Sequence, residues 1–99
     1  MIVLLATLHA RPGTRDELVR LLDAIRVDTE TEPGTLTFAV HTVPDDDGAV
    51  VCYEAYADAD AMALHREGRA LQALMAVIGD LIVGAPEIVY LEPVSSASR

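Results

Sequence analysis

The chain contains no tryptophan, asparagine or lysine, a single cysteine, and only four aromatic residues, Phe38, Tyr53, Tyr56 and Tyr90. The lone Cys52 forbids an internal disulfide and cannot form a thiolate zinc site, so packing or a partner chain must hold the core. Serine occurs only at Ser95, Ser96 and Ser98, where no rigid framework could set a nucleophile against a base and oxyanion donors. The six glycines are scattered as turn and break residues, and none forms a phosphate-cradling loop after a strand. Seven basic residues, all arginine, face sixteen acidic ones, for a net charge of -9. That balance argues against nucleic acid, anionic membrane and highly phosphorylated ligands as partners. No apolar run approaches the roughly 18 residues of a membrane span. The opening Met1–Leu5 run lacks the basic flank and cleavage site of a signal peptide, so the expected location is cytoplasmic.

What is present is a 99-residue chain, 52% hydrophobic and 23% charged, which predicts one core: a single domain over residues 1–93 and a polar tail over 94–99. Residues 2–9 form a β-branched and aliphatic run that ends at Arg11-Pro12-Gly13, a strand followed by a turn. Thr14-Arg-Asp-Glu17 has the pattern of a capping box, and Leu18, Leu21, Leu22 and Ile25 continue at helical spacing to about Glu30. Runs 36–43 and 49–56, separated by Pro44-Asp45-Asp46-Asp47-Gly48, predict a hairpin. Asp58 is placed to cap a second helical region reaching Leu81, with Gly68 and Gly79 expected to break or bend it. Residues 87–91 form the last strand. The order βαββαβ predicts an α+β, ferredoxin-like fold with a four-stranded antiparallel sheet and the helices on one face.

An antiparallel sheet with one wet face alternates apolar and polar residues. These strands do not: in the first, Val3 and Leu5 share one face while Ile2, Leu4, Ala6 and Leu8 share the other. Helices can cover only one side, so the second predicts sheet-to-sheet packing in a homodimer.

Glu54 and Tyr56, two apart on a strand, share a face, and His65 lies on the helix that returns over it. A carboxylate, a phenol and an imidazole can therefore converge where partial desolvation tunes their ionisation. The same residues have a plain structural account, in which Glu54 pairs with an arginine such as Arg69, Tyr56 fills core and His65 bonds a backbone carbonyl. Cys52 reads as a packed small hydrophobe, the acidic run 45–47 as a solvated turn, and the three histidines lack metal-ligand spacing, so no metal is expected.

The ordered set Glu54-x-Tyr56-x-Asp58-x-x-Ala61-x-x-x-His65, with Arg11-Pro12-Gly13 and Glu32-Pro33-Gly34 before it, resembles the antibiotic biosynthesis monooxygenase family over nearly the whole chain. The resemblance implies a dimeric α+β barrel of ferredoxin-like subunits. It also implies oxygenation of quinol, phenolic or anthrone-type small aromatics by O2 with no cofactor, in a cavity between sheet and helices. His65 is then the base or proton shuttle, Tyr56 a hydrogen-bonding partner of the substrate oxygen, and Glu54 the group orienting a neighbour. Arg69, Phe38, Met62 and Ala6 complete the expected substrate-binding set. The chain departs from the family pattern in having tyrosine at 56, where tryptophan is common, and Arg66-Glu-Gly-Arg69 where a second histidine is common. Lacking asparagine and tryptophan, it does not fit the related haem-degrading branch. An isomerase or ligand-binding protein on the same scaffold is the alternative.

Overall fold

The computed structural model describes residues 1–99 and runs β1 (Ile2–His9), α1 (Arg15–Thr29), β2 (Thr35–Val43), β3 (Asp46–Tyr56), α2 (Ala59–His65), α3 (Arg69–Leu81) and β4 (Glu87–Leu91). The strands pair antiparallel in the order β2-β3-β1-β4, which is the ferredoxin-like arrangement. No helix is long and apolar enough to cross a membrane.

Register fixes the two faces of the sheet. Leu4 stands opposite Glu54 and Tyr90, and Ala6 opposite Cys52 and Ile88, while Phe38 pairs with Glu54. These positions, with Leu8, Val50 and Tyr56, form the inner face, and α1 buries Leu18, Leu22 and Ile25 against it at helical spacing. The outer face carries Val3, Leu5, Val51, Tyr53, Val89 and Leu91, none of which belongs to the helix-covered core. Tyr53, Val89 and Leu91 are 37%, 55% and 41% exposed there, so part of the apolar outer face is open in the single chain, although Val3 on the same face is buried.

Three local expectations need correction. The hairpin turn is the two residues Pro44 and Asp45, and β3 begins at Asp46, because a register shift between Thr42 and Val43 absorbs the extra residues. Asp46 satisfies that bulge by accepting from the Gly48 and Ala49 amides at 3.0 and 3.1 Å. The capping box is not made: the Thr14 hydroxyl donates towards the Leu81 and Arg11 carbonyls, at 2.7 and 2.8 Å, and Glu17 is held by Arg20. Helix carbonyls at a C-terminus lack internal partners, and that of Leu81 draws the single hydroxyl hydrogen. Finally, Gly68 breaks the second helical region into α2 and α3, whereas Gly79 lies inside α3 without bending it into two.

Gly68, at the N-cap of α3, has no side chain to offer the first free amides. Asp28, near the end of α1, takes that role across the interface by accepting from Ala70 N at 3.0 Å. At the other end Arg11 donates its guanidinium to Gly79 O at 3.2 and 3.3 Å, and its amide to Leu81 O at 2.8 Å. Asp28→Ala is expected to cost about 1 kcal/mol, lowering Tm by about 4–8 °C for a domain of this size. Asp28→Asn, which keeps an acceptor oxygen, should recover most of it in thermal circular dichroism; equal melting of the Ala variant and the parent would remove the cap from the account.

Candidate functional site

Between the inner sheet face and α2–α3 lies a cavity of about 410 Å³, with hydrophobic residues at fifteen of its twenty lining positions. It exists because α3 packs chiefly on α1 and makes little contact with β1 and β4 beneath it. Leu4, Ala6 and Cys52 form its floor, Leu71, Leu74 and Ile78 its roof, and Phe38 and Met62 one side. Its polar lining residues include Glu54, Tyr56, His65 and Arg66, with Gln72 on α3 donating to the Arg66 carbonyl at 2.8 Å.

His65 is delivered by α2, whose N-terminus is capped as expected by Asp58, accepting from Ala61 N at 2.8 Å. The residue is only 4% exposed. Its Nδ1 lies 2.8 Å from Glu32 Oε1, and its ring packs 5.2 Å from that of Tyr56 and 5.4 Å from that of Phe38, centroid to centroid. Nε2 makes no hydrogen bond within the protein, yet no buried polar side-chain atom is left unpartnered, so Nε2 is open to the cavity that His65 lines.

The Tyr56 hydroxyl donates to Glu54 Oε1 at 2.5 Å. Burial first, then this bond and the charge of Glu54, push the phenol well above the ordinary tyrosine range, so it stays neutral. Its hydrogen is therefore engaged with Glu54 in this structure. Burial also raises the Glu54 carboxyl above its usual range, opposed by the Tyr56 bond and by the charges of His65 and Arg66. A raised value in the folded state means that the neutral carboxyl favours folding. That contribution is present below the unfolded value and is lost as pH rises through the folded one. Glu54→Gln, neutral throughout, should therefore raise Tm near neutral pH and lose that advantage under acid conditions below the ordinary carboxylate range. A Tm difference independent of pH would contradict this.

The cavity thus gathers Glu54, Tyr56, His65, Phe38, Met62 and Ala6. It does not gather Arg69, which is exposed at the first position of α3. The break at Gly68 resets the helix phase, so Arg69 is not one turn beyond His65 on a continuous helix. Arg66, the C-cap of α2, lines the cavity instead and makes no ion pair, its guanidinium reaching only Met62 Sδ at 3.8 Å. Glu32 is a site residue that the sequence does not reveal: it enters there only within the Glu32-Pro33-Gly34 motif of the family resemblance, 33 positions from its partner.

His9 and His41 lie on the outer face, bonded to Glu87 and to the Val51 carbonyl respectively. No cluster of three or more His, Cys, Asp or Glu side chains has the disposition of a metal site. Burial pushes the Cys52 thiol up to about 12, which leaves it an unreactive packing residue.

Residues 1–77 match a family model described as antibiotic biosynthesis monooxygenase. No protein of curated function matches the chain. Among solved structures, Rv0793 of Mycobacterium tuberculosis is 28% identical, with 98% of each chain covered and a TM-score of 0.86. A Caulobacter crescentus protein proposed as an antibiotic biosynthesis monooxygenase is also 28% identical, over 95% of this chain and 90% of its own, with a TM-score of 0.84. PA3566 of Pseudomonas aeruginosa, at 23% identity over 95% and 94% of the two chains and a TM-score of 0.87, shares the fold.

Proposed function

Because the chain belongs to the antibiotic biosynthesis monooxygenase family, we propose that it adds one oxygen atom of O2 to a small phenolic, quinol or anthrone-type aromatic, with no flavin or metal, in the cavity beneath α2 and α3. The observation that carries this reading is the imidazole of His65 at the polar end of an apolar cavity, one nitrogen held by Glu32 and the other open. At about 410 Å³ the cavity falls within the range of small-molecule sites.

His65 Nε2 takes the proton of the substrate hydroxyl. The ring anion that results gives its electrons to O2, forming a peroxide at a ring carbon. Two substrate hydrogens then leave with the outer oxygen as water, and the inner oxygen remains as a carbonyl. All four electrons that reduce O2 come from the substrate, so the protein need only bind, orient and stabilise an anion. Glu54, Tyr56 and Arg66 are the polar groups within reach of that charge, and Phe38, Met62 and Ala6 hold the rings. A homodimer belongs to the same reading, with two copies burying the apolar outer faces around Val89, Leu91 and Tyr53 against each other.

Oxygen uptake by chelator-treated protein, across hydroquinones, dihydroxynaphthalenes and anthrones, tests the activity. Uptake above autoxidation that survives chelation supports it. Background rates throughout would transfer the site to the second reading, an isomerase or binding protein for a small anionic metabolite, which the unpaired Arg66 favours. In that case Arg66→Gln should abolish ligand retention.

A further inference from the structure

The turn between α1 and β2 carries Glu32, Pro33 and Gly34, and two of its residues reach α2 by different means. A Cβ at Gly34 would stand 2.5 Å from Ala61 Cβ, so the missing side chain lets α2 approach the turn. Glu32 then meets His65 at the far end of the same helix. Its carboxylate is fixed on its own side as well, since Thr35 Oγ1 donates to the same Oε1 at 2.9 Å. Its backbone closes the turn through Glu32 N to Thr29 O, at 2.9 Å, and Thr35 N to Glu32 O, at 3.0 Å. The side chains of His65 and Glu32 are 5% and 13% exposed, so water does not compete freely for this bond.

A neutral imidazole has one donor and one acceptor nitrogen, and its hydrogen-bonded partner decides which is which. An ionised carboxylate can only accept. Nδ1 therefore carries the hydrogen, and Nε2 presents a lone pair to the cavity. No other group at this end imposes that choice: Tyr56 is spent on Glu54, the Arg66 guanidinium reaches only Met62 Sδ, and the Gln72 amide donates to the Arg66 carbonyl.

We propose that Glu32 is the positioning residue of the site, holding His65 as the Nδ1–H tautomer so that Nε2 is the proton acceptor facing the substrate. The role rests on reading His65 as the base; the placement of the proton does not depend on any turnover. It also assigns the Glu32–Gly34 turn a task in the site rather than in chain reversal alone.

Nitrogen NMR of the His65 ring, in the neutral form of the whole protein, tests the assignment without any variant. A protonated Nδ1 and bare Nε2 are expected; a protonated Nε2 overturns the proposal. Glu32→Ala should lose the Nδ1–H preference and, with a turned-over quinol, about 100-fold in kcat at little changed KM. Glu32→Gln, whose amide oxygen can accept from both His65 and Thr35, should keep the tautomer and recover uptake to within about 10-fold of the parent. An Ala variant that keeps Nδ1–H, or a Gln variant as impaired as Ala, would reduce Glu32 to a packing role. Should the parent consume no oxygen while its tautomer still follows Glu32, the oxygenase reading fails and the positioning stands.

Discussion

His65→Gln is expected to lower oxygen uptake on a hydroquinone-type substrate by about 10²- to 10⁴-fold, the range lost with a general base, while leaving the fold intact. Glutamine is chosen because its amide hydrogens can still donate to Glu32, which otherwise keeps only the Thr35 hydroxyl. His65→Ala removes that donor and leaves a buried carboxylate underpaired, so a loss of activity there would mix chemistry with instability. The ring contacts with Phe38 and Tyr56 are lost in both variants and cancel in the comparison. Stopped uptake in the Gln variant with an unchanged melting curve assigns the proton transfer to the imidazole. Uptake within twofold of the parent would remove His65 from the chemistry.

Gly34→Ala carries the second large effect, because the new methyl group would meet Ala61 Cβ at 2.5 Å. Both atoms are fixed to backbone, so α2 itself must shift, and overpacking of this kind costs about 1–3 kcal/mol. The helix that shifts is the one carrying His65 at its end. A misplacement near 1 Å can remove about 100-fold in rate, so uptake should fall far more than stability alone implies. Ala61→Gly in the same chain returns the space and should restore uptake, although glycine in α2 costs about 1 kcal/mol in helix propensity. Gly79→Ala serves as the control: nothing lies within 4 Å of its added Cβ, and a gain of about 0.5–1 kcal/mol is expected. If the double variant stays as inactive as Gly34→Ala, the close approach of turn and helix is not what holds His65.

The fold was legible in the sequence because its signals are periodic. Leu18, Leu22 and Ile25 recur at helical spacing, and the split faces of β1 and β3 follow from alternation alone. Glu54 and Tyr56 were legible as neighbours on one face for the same reason, and Asp58 as a cap because capping needs only four consecutive residues. Glu32 was not, since its pairing with His65 crosses from a turn to a helix and no local period encodes it. Thr14 misled in the opposite way: the capping pattern was complete, but Thr14 has helical backbone angles and its hydroxyl is turned to donate to the Leu81 carbonyl, so its oxygen accepts from no helix amide. Arg69 failed through a boundary, as a three-residue interruption between α2 and α3 turned a helical neighbour of His65 outwards and put Arg66 at the cavity instead.

The roof helix α3 resembles a beam clamped at both ends. Asp28 grips its first turn, while Arg11 and Thr14 grip its last carbonyls, and the void lies under its middle. A beam held this way cannot swing as a door on a hinge. Passage in and out falls to the side chains along the open edge, Met75, Ile88 and Tyr90, which are 54%, 53% and 58% exposed and line the cavity. Rotations of exposed side chains take picoseconds to nanoseconds, far faster than the microsecond-to-millisecond opening of a lid. The aperture of the cavity is therefore set by side chains on a fixed frame rather than by the swing of a helix.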